Sequence, residues 1–190
     1  MKKLTTLSTL FVLGTLVACG GGDSKPAPAP QATSLAYTNP TSGSYQLLKN
    51  TTLSSGTKLV LDLVGPSAGT GSGLSVTLTA GAQVSWVNVN AGDPAGTYVT
   101  SGTVFTLGTS PQILKAQVTG NTLIATVAEK GHAAPKALNA PLLRVAVNLK
   151  TGIGTTPGTA VTLTPGECKL LDGAGNLQTV SLTAGTLTAQ

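Results

Sequence analysis

In Leu143-Arg144-Val145-Ala146-Val147-Asn148-Leu149 the odd positions are all apolar, while Arg144 and Asn148 fall between them. Successive side chains of a strand point to opposite faces, so such a segment buries one face and wets the other. Leu59, Leu61 and Leu63 repeat the pattern within Lys58–Val64, and Leu74, Val76 and Leu78 repeat it again. Alternation of this kind belongs to antiparallel sheets, whose outer face meets water. No helical period runs through the chain after Leu35. The punctuation by Gly, Pro, Asn and Ser predicts strands over Ser44–Lys49, Lys58–Val64, Leu74–Thr79, Val84–Val89, Thr103–Leu107 and Ile113–Val118. Further strands are predicted over Thr122–Glu129, Leu142–Leu149, Ala160–Leu163, Lys169–Leu171, Leu177–Leu182 and Gly185–Thr188. About a dozen strands in about 155 residues, with no helix between them, predict an all-β, antiparallel two-sheet sandwich over residues 35–190. A chain of that length buries a full core without disulfides or metals.

Composition narrows the function. Charged residues make up 9% of the chain and aromatics 3%, and the mean hydropathy is positive, at +0.26. A disordered chain has the opposite balance. The net charge is +5, but beyond Lys2-Lys3 the basic residues are scattered singly with few aromatics between them. That is no footprint for nucleic acid.

The first residues place the chain in a compartment. Met1-Lys2-Lys3 is a basic start, Leu4–Val17 an apolar run, and Ala18 a small residue at its end. These are the parts of a secretory signal. Fourteen residues of helix span about 21 Å, short of the roughly 30 Å hydrocarbon core, so the run is a poor permanent span. Leu16-Val17-Ala18-Cys19 resembles the lipobox of bacterial lipoproteins at every position. The resemblance implies cleavage before Cys19, so that residues 1–18 are a signal peptide, and acylation of the Cys19 thiol and amino group. Two or more acyl chains give a stable anchor where one does not. It implies further that Gly20, where an aspartate would favour the inner membrane, directs the protein to the outer membrane of the cell envelope. Cleavage would lower the charge to +3, nine basic against six acidic side chains. It would also leave Cys168 without an intramolecular partner. Residues 19–34, with Gly20-Gly21-Gly22 and Pro26-Ala27-Pro28-Ala29-Pro30, form a linker. Extended, it reaches about 40 Å.

From Pro141-Leu142-Leu143-Arg144-Val145-Ala146-Val147-Asn148-Leu149 to the C-terminus the chain resembles the end of a cohesin-type domain. Leu171-Asp172-Gly173-Ala174-Gly175-Asn176 stands in place of that family's D-x-x-G-N turn, and Ala184-Gly185-Thr186-Leu187-Thr188-Ala189 in place of its closing strand. The likeness implies a cohesin-like, jelly-roll-like sandwich and, with it, a protein partner.

Catalytic chemistry finds few groups. His132 is the single histidine, in the loop-like Lys130-Gly131-His132-Ala133-Ala134-Pro135-Lys136, whereas triads and most catalytic zinc sites need histidine as base or ligand. The carboxylates after the linker are Asp62, Asp93, Glu129, Glu167 and Asp172. Asp172 and Asp93 read as turn residues; Asp62 and Glu129 read as ordinary wet positions on strands. The chain therefore reads as a non-enzymatic binding or assembly module without metal or cofactor. Trp86, in Val84-Ser85-Trp86-Val87-Asn88-Val89, is either a core tryptophan or a sugar-stacking platform joined by Tyr98 or Tyr45. The second possibility would make the protein a carbohydrate-binding lipoprotein with a polysaccharide partner. Glu129–Pro141 reads as one long connection, and long loops often carry function, so Lys130, His132 and Lys136 are the other candidate contacts.

Overall fold

The structure is a computed structural model that describes residues 27–105, 112–129 and 134–190. Among the described residues there is no helix. The strands are β1 (Leu35–Thr38), β2 (Tyr45–Lys49), β3 (Lys58–Val64), β4 (Thr70–Gly71), β5 (Gly73–Ala80), β6 (Val84–Val87), β7 (Val99–Ser101) and β8 (Gln112–Thr119). They continue as β9 (Thr122–Glu129), β10 (Lys136–Ala137), β11 (Pro141–Leu149), β12 (Ala160–Val161), β13 (Leu163–Leu171), β14 (Leu177–Thr179), β15 (Leu182–Thr183) and β16 (Thr186–Ala189).

Two large sheets make the sandwich. One is six-stranded, in the order β15-β2-β3-β11-β6, with β7 continuing the β6 side of β11. The other is five-stranded, in the order β14-β13-β5-β9-β8. A three-stranded sheet, β1-β16-β12, and the pair β10-β4 complete the fold. All pairings are antiparallel except β15 with β2.

The leucines that alternate in the sequence are the ones that meet between the sheets. Leu59, Leu61 and Leu63 from β3 and Leu143, Val145 and Val147 from β11 pack with Leu74, Val76 and Leu78 from β5 and Leu123, Ala125 and Val127 from β9. Each such side chain contributes about 1.5–3 kcal/mol when fully removed from water. A second, small cluster lies on the opposite face of the six-stranded sheet, where Val89 of the β6–β7 connection covers Val60 and Ala146.

Several segments depart from the sequence expectation. Thr103–Leu107 is not a strand as far as Phe105. Thr103 and Val104 instead donate their N–H groups to the Pro141 carbonyl (2.7 and 3.1 Å), and Phe105 drops into the core. The paired strand lies just before it, at Val99–Ser101. Ala160–Leu163 is divided between two sheets: β12 pairs with β16, and Leu163 starts β13. Lys169–Leu171 is the end of that same strand, continued past an irregularity between Pro165 and Cys168. Proline has no N–H to give a ladder, which is why the pairing breaks there. Leu177–Leu182 is likewise two strands, β14 in one large sheet and β15 in the other. Part of the expected long connection is also a strand, since Lys136 and Ala137 pair with Gly71 and Thr70.

Backbone contacts also reach back before β1. Ala32 donates its N–H to the Thr155 carbonyl (2.8 Å), and Thr33 and Ser34 donate theirs to that of Gln190 (2.6 and 2.8 Å). Ala32 packs against the core. The chain is thus held to the domain three residues before β1.

Candidate interaction face

The five-stranded sheet turns its polar side outward, but one row across it is apolar. The registers place Leu177 opposite Leu171, Leu171 opposite Gly73, Gly73 opposite Ala128 and Ala128 opposite Ile113. Directly opposed residues share a face. The row therefore crosses all five strands on the side away from the core. Leu177 is 67% exposed, and Ile124, further along β9 on the same face, is 48% exposed.

Gly73 makes the row concave. A Cβ there would come within 2.6 Å of the Ala128 Cβ and 2.9 Å of the Val127 carbonyl oxygen, so only glycine lets β5 and β9 stay paired. The missing side chain leaves a shallow groove of about 130 Å³ beside Ser75, Thr126, Lys169, Leu171 and Leu177. Hydroxyls border it, the Ser75 and Thr126 Oγ atoms lying 2.8 Å apart, and further along the same face those of Thr79 and Thr122 lie 3.1 Å apart. The nearest charges belong to Lys115, opposite Thr126, and to Lys169, whose Nζ is 2.9 Å from the Glu167 carboxylate. The pair is solvent-exposed and worth little in stability. The face is thus apolar along one line, hydroxylated around it and weakly charged.

Of the described residues that the sequence nominates, none falls on this face. Trp86 is 6% exposed, and its Nε1 donates to the Asn121 carbonyl (2.8 Å). Tyr45 is 5% exposed. Neither ring offers a surface to a sugar, which favours the core alternative for Trp86. Tyr98 is half-buried with φ 52°, held by Asn88, whose Oδ1 accepts its N–H at 3.0 Å. Lys136 is exposed on β10 at the far end of the sandwich, away from Trp86. Cys19, Lys130 and His132 lie outside the described residues.

Asp62 and Glu129 are not ordinary wet positions. Asp62 accepts from Arg144 Nε at 2.7 Å and from Asn50 Nδ2 at 3.0 Å, and its side chain is 13% exposed. Glu129 Oε2 is buried and accepts no hydrogen bond from any described residue. Asp172 behaves as expected of a turn residue. Its carboxylate accepts the N–H groups of Asn176 (2.8 Å) and Ala174 (2.9 Å), and the first of these does most to hold it below the usual carboxylate range. Burial pushes the Cys168 thiol up to about 12. Among the described residues, no three His, Cys, Asp or Glu side chains lie together.

This architecture has counterparts among solved structures. A type II cohesin domain from the cellulosome of Acetivibrio cellulolyticus superposes with a TM-score of 0.54 at 14% identity, covering 77% of this chain and 94% of its own. The fold is a cohesin-like β-sandwich. A chain of a type II cohesin–X-dockerin complex from the same organism matches with a TM-score of 0.59 at 12% identity, over 75% of this chain and 95% of that one. Another type II cohesin module, from the adaptor scaffoldin of that organism, matches with a TM-score of 0.53 at 11% identity, over 82% and 88%. No protein-family model matches the sequence, and no curated protein does. The cohesin likeness is one of architecture, carried by the sandwich rather than by shared residues.

Proposed function

We propose that this chain is an envelope lipoprotein whose cohesin-like sandwich binds a protein partner on the outer face of its five-stranded sheet. The apolar row from Leu177 to Ile113 carries the reading. Apolar side chains on the wet side of a sheet cost solubility and are kept where something covers them. Solved relatives of the fold supply the kind of cover, since matching chains come from complexes of cohesins with dockerins. Binding needs no catalytic group, and Asp62 and Asp172 already hold structural partners. The lipobox-like Leu16–Cys19 supplies the address, an outer-membrane anchor through lipid on Cys19.

Photo-crosslinking in intact cells tests the face and the address together. A crosslinker at Leu177 or Ile124 is expected to trap a protein partner, and one at Thr100, on the other sheet, to trap none. Ile124→Asp with Leu177→Asp should reduce capture by about tenfold or more. The same yield at all positions would overturn the face. Cys19→Ser should move the protein from the membrane to the soluble fraction; continued membrane partitioning would overturn the anchor.

A further inference from the structure

We infer that the end of the sandwich from which the linker departs is a membrane-contact surface, with Ile153 as its inserting tip. The inference rests on the anchored reading above and extends it to how the domain sits on the bilayer. Large exposed hydrophobic side chains among the described residues are Leu53, Ile124, Ile153 and Leu177. Ile124 and Leu177 belong to the five-stranded face. Leu53 and Ile153 lie on the β2–β3 turn and the β11–β12 loop, which meet at one end of the strands.

That end is defined by backbone contacts. The Leu149 N–H donates to the Thr57 carbonyl (2.9 Å), joining the two connections, and the Ala32 N–H donates to Thr155 (2.8 Å), placing the departing linker between them. Gln31–Thr33, Thr57, Lys150 and Thr151 line a groove of about 240 Å³ there. Ile153 is 51% exposed and stands between Gly152 (φ 79°) and Gly154 (φ 75°). Left-handed glycines on either side let the loop turn at the isoleucine, which stands half-exposed beside Ala82 and Gln83 of the β5–β6 turn.

Charge points the same way. Residues 27–34, 50–57, 81–83, 119–122 and 150–159 form this end, and Lys150 is their single charged side chain. The strand that follows the turn opens with Lys58. Glu129 and Asp172 lie at the opposite end of the five-stranded sheet, and Asp62 meets this end only through Asn50 while pairing with Arg144. An aliphatic tip, a cation and a rim of threonines fit the headgroup layer of a bilayer. From Cys19 to Gln31 the chain is at most about 45 Å long, so the tether holds this end near the surface at high effective concentration. A weak contact suffices under those conditions.

The test uses full-length lipidated protein in vesicles of phosphatidylethanolamine and phosphatidylglycerol at about three to one. An environment-sensitive fluorophore is placed on Thr151→Cys, or on Thr179→Cys as the reference on the five-stranded face. Cys168 is buried and escapes the label. Quenching by lipids spin-labelled in the acyl chain should be about threefold or more stronger at 151 than at 179, and Ile153→Asp should lower it to the level of 179. Equal quenching at both sites on protein that still floats with the vesicles overturns this inference alone. Quenching at 151 that survives Ile153→Asp overturns the role of the tip. Protein that does not float overturns the anchor, and the inference with it.

Discussion

Arg144 sits opposite Asp62 on the outer face of the six-stranded sheet, and the two answer one another across β3 and β11. Their side chains are 22% and 13% exposed, too dry for a surface pair and too wet for a buried one. Removing Arg144 alone leaves a sheltered carboxylate facing only Asn50. Arg144→Met should cost about 1–3 kcal/mol in urea unfolding, and adding Asp62→Leu should return most of it. Equal losses in the single and double variants would show that the pair is not coupled. Cys168 makes a different prediction. Its folded thiol keeps its proton up to about 12 against 9.0 for an ordinary thiol, so the folded state binds the proton more tightly. The stability this confers is whole below about 9 and is lost as the pH climbs from there towards 12. At pH about 8 a thiol reagent should modify Cys168 only as fast as the protein opens, and modification of the fully folded protein at the rate of a free thiol would contradict the burial.

Elements are joined as much by single side chains as by ladders. Tyr37 Oη donates to the Leu47 carbonyl (2.9 Å) and accepts the Gly185 N–H (2.6 Å), tying β1 to β2 and to the turn before β16. Tyr37→Phe should cost about 1–2 kcal/mol, because the Gly185 N–H and the Leu47 carbonyl both lose a partner. A variant that unfolds at the same denaturant concentration would remove the link. β3, β5, β9 and β11, each of seven or more residues, are legible in the sequence because alternation needs several periods to show. The short ones, β4, β10, β12 and β15, are not, since two residues carry no period. The candidate face was hidden for a related reason. Leu163 and Cys168 both point inward although one position is odd and the other even. Only the irregularity between Pro165 and Cys168 reverses the phase and sends Leu171 outward. Ile124 did leave a trace, as the apolar residue that interrupts the alternation between Leu123 and Ala125.

At the scale of the molecule, the domain begins before its first strand. A chain starting at Leu35 loses the three backbone hydrogen bonds of Ala32, Thr33 and Ser34 and the packing of Ala32. It should melt a few degrees below one starting at Ala27, by about 2–8 °C. Identical melting would return those residues to the linker. The position of that exit also orients everything else. The strands of the five-stranded sheet run from the linker end to the opposite end, so their face lies along the side of the molecule, not at its tip. With the linker end down on a bilayer, the normal to that face is parallel to the membrane. A partner anchored in the same leaflet would then arrive by two-dimensional diffusion at the correct height, and adjacent copies would form a palisade of side-facing receptors.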